Sequence, residues 1–392
     1  MKNLWDAKKA DECKTDLEMR VYSSNILGQS DELVLHGGGN TSVKSMIDGE
    51  EILFVKGSGW DLVSIQKEGF SPVKMSTLLE MAKLESLSDS EMVAGQKGAM
   101  IDKSAPNPSV EAILHAIIPF KIVDHTHADA IVTISNSVKG EEYIANLFPN
   151  FLIVPYIMPG FILAQKIYEM TKDFDWSSCE GIILHNHGIF TFDNNAKESY
   201  DKMIEAVSVA EDFLNENAKL TFDKIEPTGF DIEKLKVLIE AKKGYEISML
   251  INQTPLALHY ANRSKLYCRS SRGVLTPEHI IRTKRTPLVL EDKNIKKALS
   301  IYIDNYKSYF KKYATDEIML NPAPNYAVIK GFGVVMFGKT QKESSVLNDV
   351  IEHTMMAVLR ADRLGGYESI SLQDSFEMEY WELEQVKLKK LK

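Results

Sequence analysis

The spacing of apolar positions changes several times along the chain, and each change marks an element. Residues 8–28 carry Leu17, Val21 and Tyr22 at helical spacing and stop at Gly28. A glycine-rich turn follows (GGGNTS, 37–42), then a strand-like run at 51–56 that ends in Gly57-Ser58-Gly59. Asn107-Pro108-Ser109 punctuates the start of a helix that carries Val110, Ile113, Leu114 and Ile117. Residues 122–135 (IVDHTHADAIVTIS) and 182–192 (IILHNHGIFTF) read as strands. Residues 196–213 read as a long helix with Met203, Ile204, Val207 and Ala210 on one face. Strands alternating with helices predict α/β layering.

Around 218–232 the text turns polar and irregular, which places a boundary there: domain one over 1–224, domain two over 225–392. The second part echoes the first. Residues 182–199 align without gaps with 327–344, so that Gly188 meets Gly333, Phe192 meets Phe337 and Lys197-Glu198-Ser199 meets Lys342-Glu343-Ser344. In that register His187 meets Phe332 and His185 meets Lys330. The second domain therefore reads as a degenerate α/β repeat without metal ligands.

The chain has 392 residues, 44% of them hydrophobic and 26% charged, as in a globular protein, and no apolar run suited to a bilayer. Its first twenty residues are dense in charge, unlike a secretory leader. Cys13, Cys179 and Cys268 are sparse and unpaired in spacing, which argues for a reducing, cytoplasmic setting and against a thiolate metal site. A net charge of −9 disfavours nucleic acid as the main partner, because phosphate backbones need a basic face.

His125 and His127 stand two apart in a predicted strand, so period two puts both imidazoles on one face. Two buried imidazoles without partners are costly. A catalytic zinc site typically takes three protein ligands and leaves a position open. His187, in a glycine-flanked strand, supplies a third; His185 lies on the same predicted face and remains an alternative. Glu111, in a first helical turn, is either a complement to that helix end or a general acid/base. His115, one turn on, packs or supports. The turns at 37–42 and 56–59 offer backbone N–H groups, hydroxyls and a lysine that suit a phosphate or carboxylate. Gly331-Phe332-Gly333 mimics a dinucleotide fingerprint, but a strand follows it instead of a helix. Arg282, Lys284 and Arg285 read as a solvated basic surface.

Taken in order, GGGNTS (37–42), VKGSGW (55–60), PSVEAILH (108–115) with VDHTHADA (123–130), and LHNHG (184–188) resemble the class II aldolase/adducin family. The full chain looks closest to the aldolase part of fused rhamnulose-1-phosphate aldolase/lactaldehyde dehydrogenase proteins. TPEHIIRTKR (276–285), LGGYESIS (364–371) and MEYWELEQ (378–385) resemble the stretch that precedes the dehydrogenase there. Because the sequence stops before such a dehydrogenase, no reductase activity is expected.

The resemblance implies a three-layer α/β/α sandwich around a mainly antiparallel sheet, assembled as a homo-oligomer, commonly a tetramer. It implies that His125, His127 and His187 hold Zn2+, or another divalent ion such as Mn2+ or Co2+, which decides between His187 and His185. Glu111 matches the family's acid/base. Gly39, Asn40, Ser58, Gly59 and Ser109 match its phosphate-binding positions. One departure stands out: Val110 occupies a position where several relatives carry a second serine, which weakens the case for a phosphorylated substrate. The implied reaction is cleavage of a ketose 1-phosphate to dihydroxyacetone phosphate and an aldehyde. The partner is then a small sugar or sugar phosphate, with no membrane or nucleic acid involved. Dehydratases, decarboxylases and epimerases share the scaffold, and so do non-catalytic adducins.

Overall fold

The computed structural model describes residues 1–389. The chain forms two compact units, residues 1–135 with 140–215, and residues 136–139 with 216 onward. The irregular segment between 218 and 231 follows the first unit directly.

The first unit is built on seven strands: β1 (Asn40–Ile47), β2 (Glu50–Lys56), β3 (Phe70–Lys74), β4 (Ile122–Thr126), β5 (Phe151–Val154), β6 (Gly181–Leu184) and β7 (Gly188–Asp193). They lie in the order β3-β2-β1-β4-β7-β6-β5. Every pairing is antiparallel except β5 with β6. Alternation along the strands sends side chains to two separate cores. Leu53, Val55, Val73, Val123, Phe190 and Phe192 pack on one face against helices Met75–Ala82, Ala112–Ile117 and Phe161–Thr171. Val43, Phe54 and Ile122 face the other way, toward Leu17, Met19 and Ala196. This is a three-layer α/β/α sandwich with a mainly antiparallel sheet.

Three elements differ from the periodicity reading, each for a local reason. The helix over 8–28 is two, Ala7–Glu12 and Asp16–Leu27, because Thr15 and Glu18 form a capping box that starts a new helix. The strand over 122–135 stops at Thr126, and Asp129–Ser135 is a helix whose residues 130–135 are all buried. A continuous apolar run buried on all sides carries no period to tell strand from helix. The strand over 182–192 is a hairpin, β6 and β7, turned at Asn186 with φ 59°. Asparagine is among the few residues that tolerate this left-handed backbone.

The second unit carries a four-stranded sheet of β8 (Ser248–Asn252), β9 (Leu288–Leu290), β10 (Tyr326–Ile329) and β11 (Gly333–Gly338), in the order β8-β11-β10-β9. Only β9 with β10 is parallel. Order and directions repeat those of β4-β7-β6-β5. The flanking helices repeat too: Pro255–Ala261 follows β8 as Asp129–Ser135 follows β4, and Gln341–Arg363 follows β11 as Ala196–Asn217 follows β7. Strand registers then set the equivalences. Ile122 pairs with Asp193 and Ser248 with Gly338, so His125 corresponds to Ile251 and His127 to Gln253. Phe332, opposite His187, is buried in the second unit's apolar core with Leu290, Ile303 and Val335. Gln253 donates to the Phe332 carbonyl at 2.9 Å. Ile251, Gln253 and Phe332 thus stand where the first unit has His125, His127 and His187.

Candidate metal centre

One end of the first sheet collects the candidate residues. β2 finishes there at Lys56, β1 begins at Asn40, β4 finishes beside His125 and β7 begins at Gly188. Asn40, His125 and Phe190 form one cross-strand row. His127 lies past the end of β4, so the chain's turn, rather than strand alternation, aims it at His125. Two glycines make room for this. A Cβ on Gly188 would stand 2.4 Å from the Thr126 carbonyl oxygen and 2.9 Å from His125 Cε1. Gly39 has φ +63°, and a Cβ there would sit 2.7 Å from the His125 carbonyl oxygen.

His125, His127 and His187 converge, with ligand atoms all within 4.8 Å of one another. His125 is fully buried and stacks on Phe190 at 4.0 Å between ring centroids. Its Nδ1 lies 3.0 Å from the Ile189 carbonyl oxygen. A carbonyl only accepts, so Nδ1 carries the proton and Nε2 presents a lone pair. That Nε2 faces His127 Nε2 at 3.0 Å. Two imidazole nitrogens so close require a proton or a cation between them. The donor set, three imidazoles with one ring oriented by a backbone carbonyl, fits zinc and similar divalent ions. His185 is not part of the group; it lies buried with its pKa lowered by that burial.

Glu111 caps the start of helix Ala112–Ile117 without a side-chain bond to it. Its carboxylate instead enters the site and is only 5% exposed. Oε2 lies 3.6 Å from His125 Nε2, and Oε1 lies 3.8 Å from His187 Nε2. Oε2 accepts from Asn40 Nδ2 at 2.6 Å, whereas Oε1 has no hydrogen-bond partner among the described residues. Behind Asn40 stands His115. Its Nε2 meets Asn40 Oδ1, and its Nδ1 meets Ser42 Oγ at 2.7 Å. Asn40 Oδ1 can only accept, so His115 donates from Nε2 and accepts from Ser42 at Nδ1. Burial first, then the charges at His125, Lys44 and Arg20, hold the His115 pKa well below the ordinary histidine range, which keeps it neutral as this arrangement needs. The chain Ser42–His115–Asn40–Glu111 was not visible in the sequence; the four-residue spacing of Glu111 and His115 was its only signal.

The turns expected to take an anion make several hydrogen bonds of their own. Much of their backbone is already committed. Gly57 N–H donates to Gly69, Ser58 N–H to Asn107, Ser109 N–H to Lys56 and Gly38 N–H to Leu35. Ser109 Oγ accepts from Glu111 N–H at 3.3 Å. Ser58 and Gly59 are exposed, and Val110 packs on the apolar core. The basic cluster is a solvated surface only in part: Arg282 is exposed, whereas the other two are not. Lys284 is buried, with φ 61°, its Nζ 3.7 Å above the Tyr306 ring and 3.8 Å from Glu379 Oε1. Arg285 is partly buried and donates to Ser375 Oγ and the carbonyls of Ser271 and Arg272.

Three convergent histidines that could hold a metal, beside a buried carboxylate at the end of a seven-stranded, mainly antiparallel sheet, define the class as α/β proteins of the aldolase type. The family profile described as "Class II Aldolase and Adducin N-terminal domain" matches residues 21–214, and "Aldolase class II, second domain" matches 231–388. The chain belongs to the class II aldolase family. It is 30% identical to a Bacillus subtilis (strain 168) protein named "Uncharacterized oxidoreductase YuxG", over 99% of this chain but only 60% of that protein's length. The N-terminal class II aldolase domain of a conserved protein from Thermoplasma acidophilum is 40% identical, with a TM-score of 0.51, over 55% of this chain and 99% of that one. No described helix is long and apolar enough to cross a membrane.

Proposed function

We propose that the protein is a metal-dependent aldolase that cleaves a ketose 1-phosphate of the rhamnulose-1-phosphate type into dihydroxyacetone phosphate and an aldehyde. One observation carries the reading: Glu111 presents a buried oxygen, Oε1, with no hydrogen-bond partner among the described residues, beside three convergent imidazoles. His125, His127 and His187 hold the metal, Zn2+ or a similar divalent ion. When bound, that ion supplies Lewis-acid stabilisation of the negative charge that develops as the carbon–carbon bond breaks. Glu111 Oε1 removes or returns the proton at the nucleophilic carbon. Asn40 fixes the carboxylate through Oε2, so Oε1 is the oxygen that moves the proton. Gly39, Asn40, Ser58, Gly59 and Ser109 border the headgroup of the sugar phosphate.

Cytoplasmic location and a homo-tetramer belong to the same reading. The oxidoreduction in the name of the Bacillus relative is not assigned to this chain, because the histidine–glutamate group is suited to proton transfer and charge stabilisation. The test is a panel of ketose phosphates and free ketoses incubated with Zn2+, Mn2+ or Co2+ and read out as aldehyde release. Activity on a ketose 1-phosphate, lowered about 10²–10⁴-fold in Glu111→Gln, is expected. Loss of water or carbon dioxide in place of cleavage, or an E111Q variant at wild-type rate, overturns it.

A further inference from the structure

We infer that Lys56 is the specificity-determining cation of the candidate site: it takes the anionic headgroup of the substrate, and the site is thereby committed to an anion. The inference rests on the sugar-phosphate reading above and adds to it a residue outside the expected phosphate-binding set.

Lys56 is the last residue of β2 and is 6% exposed. Its backbone carbonyl accepts from Ser109 N–H at 3.0 Å, and the next residue, Gly57, bridges to Pro108. Its Nζ donates to the Gly37 carbonyl at 3.1 Å. Lys56 therefore joins the three loops that border Glu111: 37–40, 57–59 and 107–111.

An ammonium has three donors. Here the Gly37 carbonyl is the sole hydrogen-bond acceptor of Nζ among the described residues, and no carboxylate pairs with it. The acids facing it, Asp61 and Glu111, act on it at longer range, and burial pushes its pKa down to about 8. A buried charge with most of its donors unmet is costly, and buried charges are normally paired. Two N–H groups thus await an anionic acceptor in the one place where a substrate headgroup is expected.

The surrounding loops cannot supply that charge. The N–H groups of Gly38, Gly57, Ser58 and Ser109 are bound to loop carbonyls, and Val110 faces the apolar core. Lys56 offsets what those positions lack. A merely structural role, holding the Gly37 carbonyl, needs only one neutral donor and leaves the charge unexplained.

Inorganic phosphate and acetate serve as probes for the two headgroups that an ammonium accepts. Each is titrated calorimetrically into the purified metal-bearing protein as wild type, Lys56→Met, Lys56→Gln and Lys56→Arg, with metal per chain and melting temperature measured on every sample. Phosphate is expected to bind wild type, to bind K56M and K56Q at least about tenfold more weakly, and to bind K56R within a few fold, a tenfold loss being the size of one charge-assisted hydrogen bond. Metal content is expected to stay constant, and K56M is expected to melt no lower than wild type, since a buried charge is removed. Binding of acetate instead, with the same dependence on Lys56, supports the inference and names a carboxylate. Wild type that binds neither anion, or folded K56M or K56Q that binds phosphate within twofold of wild type, overturns it. Should K56M not fold, K56Q decides by the same criterion; if neither folds while K56R does, Lys56 is structural and the inference fails. Absence of metal from every sample speaks against the metal reading alone.

Discussion

Asn40 Nδ2 donates to Glu111 Oε2 over 2.6 Å, so the first residue of β1 holds one carboxylate oxygen and leaves the other for chemistry. Asn40 is itself oriented by His115, whose Nε2 meets its Oδ1. The relationship makes His115 a positioning residue that works through Asn40.

His115→Phe keeps a ring edge-on to Phe190 but removes both nitrogens. Asn40 Oδ1 and Ser42 Oγ then lose a buried partner, which costs about 1–3 kcal/mol. Metal content should stay at the wild-type level, while kcat falls about tenfold to a hundredfold because Asn40 can swing away from Glu111. Unaltered kcat in a folded H115F protein would remove the positioning role.

Metal analysis separates the two histidines that strand alternation left level and the family resemblance resolved toward His187. His187→Ala is expected to lower bound metal per chain sharply and His185→Ala to leave it unchanged, because only His187 joins His125 and His127. The reverse result would reassign the third ligand.

Beneath the site, Arg20 Nη2 and Asp124 Oδ1 pair at 2.5 Å with both side chains fully buried, and Asp124 Oδ2 accepts from Ser199 Oγ. Asp124→Asn leaves an uncompensated guanidinium in the interior. A loss of about 3–5 kcal/mol is expected, since removing one partner of a buried pair strands the other. Chemical denaturation measures it; a loss under about 1 kcal/mol would mean that water or another acceptor takes over Arg20.

Stability should also respond to alkali. Burial lowers the pKa of Lys44, Lys56 and Lys243 from 10.5 to about 8. Between about pH 8 and 10 these lysines are largely neutral in the folded protein but protonated when unfolded. The unfolded state then binds more protons, so unfolding free energy rises with pH across that window. Thermal melts at pH 7.5, 8.5 and 9.5 are expected to show a rising contribution to Tm from these lysines, against none if they stay charged inside the fold as they do in the unfolded chain. Anion affinity should decline over the same range as the Lys56 ammonium loses its proton.

The residues that meet at the site were legible along the chain because they belong to short ordered motifs: the glycine turn at 37–42, Glu111 after Pro108-Ser109, the paired histidines and LHNHG. The hairpin-plus-helix echo at 182–199 and 327–344 was legible too, since glycine and aromatic positions recur at fixed spacing. Tertiary structure decided the rest. It split the run at 122–135 into a strand and a helix, a choice that a continuously buried apolar sequence does not encode in its period. It brought His187, which the resemblance had already favoured, to His125 and His127 and left His185 outside that group. It extended the duplication to the whole order β8-β11-β10-β9, and placed Ile251 and Gln253 opposite His125 and His127, an equivalence visible only in strand register. It also gave the N–H groups of Gly38, Gly57, Ser58 and Ser109 carbonyl partners and left Lys56 Nζ with the Gly37 carbonyl as its sole acceptor among the described residues. Patterning reports which side chains are apolar over a few residues; which polar group meets which depends on partners tens of residues away, and those are set only when the sheet is assembled.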